Sequence, residues 1–235
     1  MPWKLHILLA PTAHWDADRA ASGLAQEVQR IRDDAPWATA RAVVGSNLLG
    51  DDSTHGAEIS EGPSYAAVLE VAADDAHDAS DLVPLVDNVA TRCGDGIDSS
   101  RSAAVLGVEH TIVAGDQPLM LVMALRRKAE LTPEEFRDYW LTRHAELGRA
   151  VPGSEGYRQL HADPDLSALA AKTAGVGVSD HDGVAIAYYS GETAFFAIMG
   201  NTAVTDPLMA DEQKFIDHSR SAMVIGYEPG TPLTR

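Results

Sequence analysis

A histidine on an apolar helix face is the residue of this chain best suited to acid–base chemistry. Phe136, Trp140, His144 and Leu147 recur at intervals of four and three residues, which places them on one side of a helix. An apolar pocket would lower the pKa of the imidazole and keep it neutral, ready to accept a proton. The alternative is a partly buried histidine that bonds a carbonyl or a neighbouring side chain. Spacing alone leaves both interpretations open.

The helix that carries His144 has a well-defined start. Thr132 and Glu135 have the spacing of a capping box, and Pro133 fits the first helical position, where its missing N–H costs nothing. The pattern predicts a helix over Pro133–Ala150. Tyr139 lies on the same helix and could supply a second proton donor.

Two predicted strands add candidate binding residues. On Gly156–Ala162, the side chains of Tyr157, Gln159 and His161 alternate onto one face. A polar and aromatic sheet face suits a ligand pocket, and it equally suits an exposed strand end. Tyr157 or His161 could also serve as the second donor.

Asp182 and Tyr188 complete the candidate set. Asp182 precedes the predicted strand Val184–Ser190 and could orient a histidine or cap a turn. Tyr188, on that strand, is expected in the substrate pocket or, with its apolar neighbours, in the core. The sequence has no HExxH, no CxxC and no histidine pair at ligand spacing on a helix, so neither a metal nor a cofactor is predicted.

An internal repeat predicts how these residues are positioned. Ser100–Glu109 and Ser219–Glu228 match at seven of ten positions and lie 119 residues apart. Repetition on this scale indicates a tandem repeat of one structural unit, with the two copies at residues 1–116 and 117–235. Each half is predicted as β-α-β-β-α-β, a ferredoxin-like unit, and two such sheets facing each other form a single-chain α+β barrel.

Each half supplies four apolar segments bounded by turn residues and helical segments between them. The predicted strands are Trp3–Ala10, Ala40–Leu49, Tyr65–Ala72, Ala103–Ala114, Leu119–Arg127, Gly156–Ala162, Val184–Ser190 and Ala222–Glu228. Besides Pro133–Ala150, the predicted helices are Ala21–Asp33, Asp81–Arg92, a short piece at Thr193–Met199, and Pro207–His218. Two long segments, Gly50–Pro63 and Asp163–Gly183, are rich in Gly, Asp and Ser and are expected to be mobile lids or disordered loops.

Composition excludes several partners. The net charge of −17 disfavours binding to nucleic acid and to anionic membranes. A single cysteine permits no intramolecular disulfide, and no apolar stretch is long enough to span a bilayer. A soluble cytoplasmic protein, either a monomer or a homodimer, is expected.

The second half resembles a known family. The pattern Thr-Pro-Glu-Glu-Phe-x-x-Tyr-Trp-x-x-x-His-Ala-x-Leu, followed by a Pro-Gly turn, a Gly-Tyr-Arg-Gln strand and two later blocks, is similar to the EthD family of dimeric α/β-barrel proteins. The resemblance covers residues 117–229. It implies a ferredoxin-like barrel, and it makes His144 the usual catalytic candidate. Family members include proteins of ether degradation and dehydratases, decarboxylases or cyclases of polyketide pathways.

The expected function is therefore an enzyme that binds a small, mostly apolar organic molecule inside the barrel. It would perform cofactor-free dehydration, elimination, cyclisation or decarboxylation, with His144 transferring protons, Asp182 orienting it and Trp140 as a hydrophobic wall. The first-half helix lacks Trp-x-x-x-His and offers Gln26, Glu27 and Arg30 instead, so that half is expected to serve as a wall. The alternatives are a non-catalytic binding protein and, because distant α/β-barrel relatives use haem, a monooxygenase with His144 as axial ligand.

Overall fold

A computed structural model describes residues 2–46, 48 and 64–230, which contain a closed antiparallel barrel. The strand order around the barrel is β1-β3-β2-β8-β5-β7-β6-β4. This outcome confirms the predicted α+β barrel, and each strand lies where an apolar segment was expected. The strands are β1 (Trp3–Pro11), β2 (Thr39–Gly45), β3 (Ala67–Ala72), β4 (Ile97–Val113), β5 (Leu119–Leu125), β6 (Tyr157–Ala162), β7 (Gly183–Tyr189) and β8 (Ala222–Tyr227).

Helices cover the outside of the barrel. In the described part of the chain, none is long and apolar enough to cross a membrane. They are α1 (Ala17–Asp34), α2 (Ala79–Leu82), α3 (Val89–Arg92), α4 (Pro133–Tyr139), α5 (Ala145–Ala150), α6 (Pro164–Ala174), α7 (Glu192–Met199) and α8 (Thr202–Glu212), with 3₁₀ turns at Val83–Val86 and His218–Arg220 and a π-helical turn at Trp140–His144 between α4 and α5.

The two halves of the barrel have the same strand order. The first half runs β4-β1-β3-β2 and the second runs β8-β5-β7-β6, so β4 and β8 hold corresponding places. Two junctions close the barrel. The β4–β6 junction pairs residues from Gly107 to Val113, whereas the β2–β8 junction pairs only Val44 with Tyr227 and Gly45 with Gly226.

Strand alternation separates two packed layers, because successive side chains point to opposite faces of a sheet. On β5, Met120 and Val122 belong to the core inside the barrel, whereas Leu121 packs against helix residues on the outside. The interior is therefore filled by side chains. The space between the sheet and its helices is a separate layer, and there the candidate site lies.

One end of the barrel interior is charged. Lys4 is buried there, and its ammonium bonds Glu70 at 2.9 Å and also contacts the carboxylate of Glu109. Burial alone would raise the pKa of Glu70, but the Lys4 ammonium and the nearby His6 ring, whose Nε2 lies 3.3 Å from a Glu70 oxygen, hold that pKa well below its usual range. Three strands, β1, β3 and β4, are thus joined through one buried ammonium.

Several predicted elements need correction. The segment Asp163–Gly183 contains helix α6: Asp163 caps its start, and Gly175 ends it with a φ of 73°. Three alanines of α6 are buried in the core, so this segment is not a loose lid. The other predicted lid, Gly50–Pro63, lies outside the described residues.

The remaining helices differ from prediction at their ends. The predicted helix Asp81–Arg92 is divided into α2, a 3₁₀ turn and α3, with Pro84 in the turn. The predicted helix Pro207–His218 begins earlier, at Thr202, and ends at Glu212, so Pro207 lies inside α8. Asn201 caps this earlier start.

Candidate active site

The helix that carries His144 starts as the sequence predicts and then widens. Thr132 accepts a hydrogen bond from the Glu135 amide, while the Glu135 carboxylate accepts one from the Thr132 amide. At Trp140–His144 the helix forms a π-helical turn, a feature that is frequent at functional sites. The carbonyl of Trp140 accepts bonds from the Ala145 amide and from the side-chain amide of Gln159 at 2.9 Å. The side chain on β6 therefore supports the widened turn.

Asp211, at the end of α8, holds the ring of His144. His144 Nδ1 lies 3.0 Å from Asp211 Oδ2, and both residues are 5% exposed. An ionised carboxylate only accepts hydrogen bonds, so the neutral imidazole must carry its proton on Nδ1. Nε2 then has a free lone pair. This arrangement matches the role of the carboxylate in catalytic triads, which fixes the tautomer and orientation of the base.

Three donors converge on Asp211 and keep it ionised. The Tyr139 hydroxyl donates to Oδ1 at 2.6 Å, and the Lys214 ammonium donates to the same oxygen at 3.0 Å. Burial would raise the pKa of Asp211, but the hydrogen bonds from Tyr139, Lys214 and His144 together lower it. The bond to Asp211 in turn raises the pKa of Tyr139. Tyr139 therefore serves as a donor to Asp211.

A cavity of about 130 Å³ lies beside His144. It is bounded by the outer face of the second half's sheet and by helices α5, α7 and α8, so it is outside the barrel rather than inside it as predicted. Its volume is similar to that of an engineered cavity of about 150 Å³ that binds benzene. The lining is mostly apolar and includes Leu121, Met123, Val151, Ile198, Met199, Leu208, Met209 and Met223.

Polar side chains break the apolar lining, among them His144, Ser154, Tyr157, Thr205 and Glu212. The Tyr157 hydroxyl accepts hydrogen bonds from Trp140 Nε1 at 3.0 Å and from Gln159 Nε2 at 3.2 Å. Both of those contacts use the oxygen as acceptor, which leaves its proton to be donated elsewhere. Burial raises the pKa of Tyr157, so the proton is retained at neutral pH.

Three of the predicted binding residues lie one layer behind the cavity. Trp140 is wholly buried, and the ring of His161 stacks on it at 4.8 Å between centroids. Gln159 connects His161 at 3.2 Å with Tyr157 and the π-helical turn. Burial lowers the pKa of His161 to about 3, so this ring is neutral at physiological pH and cannot be the second proton donor. These side chains support Tyr157 and do not line the cavity.

Asp182 lies away from the cavity, and Tyr188 only borders it. Asp182 accepts hydrogen bonds from the Arg127 guanidinium at 2.7 Å and from the Arg127 amide at 2.9 Å. It therefore does not orient His144 as the sequence predicts; Asp211 does. Tyr188 borders the cavity, but its ring faces the barrel interior, where the guanidinium groups of Arg41 and Arg158 lie 5.4 and 5.0 Å from its centroid.

Sequence reasoning missed Asp211 and Glu212 as site residues. A signal was present, because two acidic residues end helix α8, where the helix dipole disfavours negative charge. Acidic residues at such a position need compensating partners. Here the partners are two histidines, Lys214 and Tyr139.

The cavity does not fit a haem. Sites for drug-sized ligands occupy roughly 300–1,000 Å³, well above the 130 Å³ found here, and no Lys or Arg lines the cavity to bind haem carboxylates. Nε2 of His144, the nitrogen that would bind iron, lies 4.0 Å from the carboxylate of Glu212. Within the described residues, no group of three His, Cys, Asp or Glu side chains is arranged to hold a metal ion.

Comparison with known proteins supports the resemblance seen in the sequence. The family model of the EthD domain matches residues 128–219, the segment that contains the His144–Asp211 pair. No curated protein matches the sequence at a significant level.

Solved structures share the fold of nearly the whole chain at low identity. A provisionally named chlorite dismutase matches with a TM-score of 0.56 at 9% identity, covering 97% of this chain and 94% of its own. A chlorite dismutase variant from Candidatus Nitrospira defluvii matches at 0.54 with 12% identity and coverage of 98% and 91%. A provisionally named monooxygenase from Lactobacillus acidophilus matches at 0.54 with 11% identity and coverage of 99% and 96%. At such identities the likeness shows a shared fold alone.

Proposed function

We propose that this protein is a small-molecule enzyme that uses His144 as its general base without a cofactor. The observation that carries the proposal is the His144–Asp211 pair at the wall of a mostly apolar cavity. Asp211 fixes the proton on Nδ1, so Nε2 is the atom that accepts a proton from substrate. The reaction class is dehydration, elimination, cyclisation or decarboxylation of an organic molecule with a ring-sized apolar part.

Tyr157 is the proposed partner of the base. Its hydroxyl oxygen is fixed by Trp140 and Gln159, and its own proton remains to polarise a substrate oxygen. A hydrogen-bond donor fixed before the reaction stabilises developing negative charge without reorganisation. His144 would then remove a proton while Tyr157 stabilises the resulting enolate or alkoxide oxygen.

The two halves are proposed to be copies of one ferredoxin-like unit, divided at residues 116 and 117. Their equal strand order supports this proposal. In the first half, Glu27 is buried and bonds Arg92 at 2.7 Å and Arg30 at 3.0 Å, on the helix that corresponds to the one carrying His144. A closed ion pair offers no free base, so the first half is proposed to complete the barrel and not to react.

The first test is the protonation of His144. Long-range proton–nitrogen NMR should show that the neutral form of the ring carries its proton on Nδ1, and replacing His144 with Gln should remove that signal without loss of fold. The exposed His14, replaced with Gln, is the matched control. A ring with its proton on Nε2 alone would remove His144 as the base.

The second test separates the alternatives. Candidate β-hydroxy carbonyl compounds with one apolar ring should be converted by the wild type, and His144→Gln should lose about 10²–10⁴-fold in rate. Equal binding by both proteins with no conversion by either would favour a non-catalytic binding protein. The alternative of a haem-dependent monooxygenase predicts a Soret band after haem is added to the protein. Because the cavity is too small for haem, we expect no Soret band.

A further inference from the structure

A second carboxylate faces the free nitrogen of His144. Glu212 follows Asp211 at the end of α8, and its Oε1 lies 4.0 Å from His144 Nε2. The side chain of Glu212 is 14% exposed, and it also lines the cavity. The ring of His144 is thus held by Asp211 on one nitrogen and approached by Glu212 on the other.

The other oxygen of Glu212 contacts another histidine. Oε2 lies 3.1 Å from His218 Nε2, in the short turn that follows α8. His218 in turn lines a separate surface depression with Lys128, Glu130 and Asp217. That depression is mostly polar and open to solvent, unlike the apolar cavity on the other side of Glu212.

We propose that Glu212 and His218 form a proton relay that connects Nε2 of His144 to solvent. This inference rests on the proposed function, since it supplies the route by which the base recovers. After His144 takes a proton from substrate, the Nε2–H bond breaks and Glu212 Oε1 receives the proton. The carboxylic acid rotates and transfers the proton to Nε2 of His218, a step that requires the His218 tautomer with its proton on Nδ1. The ring then releases the Nδ1 proton to water, and proton exchange with water restores the starting tautomer.

The distances fit this order of transfer. The Glu212–His218 contact is within hydrogen-bond reach, whereas the His144–Glu212 contact is longer. Catalytic hydrogen bonds are often long in ligand-free structures and shorten when substrate binds. A relay through the protein is needed because an apolar substrate that fills the cavity excludes water from Nε2. The charged groups around the relay are Asp211 and Lys214 beside His144, and Lys128, Glu130, Asp217 and Arg220 around His218.

The relay can be tested without a substrate. With ¹⁵N-labelled histidine, the rate at which the imidazole proton of His144 Nε2 exchanges with water is measured in slightly acidic buffer. The relay predicts that Glu212→Gln and His218→Ala slow this exchange by at least about tenfold, since acid–base groups typically contribute ~10²–10⁴-fold. Glu134→Gln and His14→Gln, at exposed positions, should leave the rate unchanged.

Chemical rescue distinguishes a relay from a structural role. Imidazole added to the buffer should restore exchange in His218→Ala, where it occupies the vacated space, and should not restore it in Glu212→Gln. Exchange within twofold of wild type in both variants would overturn the relay, an illustrative limit of about 0.4 kcal/mol. The His144 tautomer would then still decide the proposed function, so failure of one inference is distinguishable from failure of the other.

Discussion

At the residue scale, the orientation of one imidazole depends on one carboxylate. Asp211 is the acceptor for the Nδ1 proton of His144 and for the donors Tyr139 and Lys214. An asparagine has almost the same shape, but its amide can donate as well as accept. The substitution Asp211→Asn therefore changes which tautomer is favoured while it keeps the packing.

Asp211→Asn is expected to shift the neutral ring of His144 toward the Nε2-protonated tautomer and to lower turnover by about 10²-fold or more. NMR of the labelled imidazole measures the tautomer, and the conversion assay measures the rate. Tyr139→Phe is the matched comparison, because it removes one donor to Asp211 and keeps the Asp211–His144 bond. An effect of Tyr139→Phe as large as that of Asp211→Asn would contradict this account.

The sequence predicted His144 but not its partner, for a physical reason. His144 stands on a helix whose capping box and apolar stripe are local features, readable within a few turns. Asp211 lies 67 positions away, and only the packing of α8 against the π-helical turn brings them together. Asp182 was the wrong choice because its position before a strand suited an orienting role, while Arg127 engages it.

At the element scale, the cavity depends on a close approach between α5 and β6. Gly148 on α5 lies against the ring of Tyr157: a Cβ there would meet ring carbons at 2.7 and 2.8 Å. Tyr157 is held by Trp140 and Gln159 from behind, so it has little room to retreat. Glycine at this position is needed for space and not for an unusual backbone angle.

Gly148→Ala is expected to lower the free energy of unfolding by about 1–3 kcal/mol, the usual cost of overpacking. Gly23→Ala on α1 is the matched control, since its nearest atom would be the Cys93 carbonyl oxygen at 3.4 Å, an ordinary contact. The free energy of unfolding of Gly23→Ala should rise by roughly 0.5–1 kcal/mol, because alanine favours a helix more than glycine does. Denaturant unfolding measures both, and equal stability of the two variants would show that Tyr157 yields easily.

Elements were predictable where local signals were strong. The strands were found because apolar residues alternate or run continuously between turn residues. The Gly, Asp and Ser content of Asp163–Gly183 predicts a loop and not helix α6, although Asp163-Pro164 is a cap followed by a first-turn proline and Gly175 is an end signal. The π-helical turn has no comparable local signal, since the side chain of Gln159 on a different element supports it.

At the scale of the whole molecule, one buried ammonium joins strands of the first half inside the barrel. Lys4→Met should lower the free energy of unfolding by about 3–5 kcal/mol, because it leaves the buried carboxylate of Glu70 without its ammonium partner and that of Glu109 with Arg158 alone. Lys172→Met, at an exposed position of α6, should change it by no more than about 0.5 kcal/mol. Denaturant unfolding at neutral pH measures the stability of both variants. If Lys4→Met lost as little stability as Lys172→Met, water would have to replace the ammonium of Lys4.

Acid should weaken the whole fold through histidines that are buried without charge. Burial lowers the pKa of His161 and of His181, which bonds Tyr65 across the two halves, to about 3 from the usual 6.5. Between those pH values the unfolded chain binds protons that the folded protein does not, so stability falls as the pH drops from 6.5 toward 3. At about pH 5 each histidine should cost up to about 2 kcal/mol relative to neutral pH.

His161→Phe keeps a ring stacked on Trp140 and removes one of these titrations. Denaturant unfolding at about pH 7 and about pH 5 measures how much stability each protein loses in acid. The loss should be smaller for His161→Phe than for the wild type, and the difference between the two losses should be up to about 2 kcal/mol. The constant cost of leaving Gln159 without its histidine partner cancels in this comparison. His14→Gln, at an exposed position, should follow the wild-type pH dependence. If His161→Phe loses as much stability in acid as the wild type, the ring of His161 must take up its proton in the folded state, and the dry, stacked support behind the cavity would be disproved.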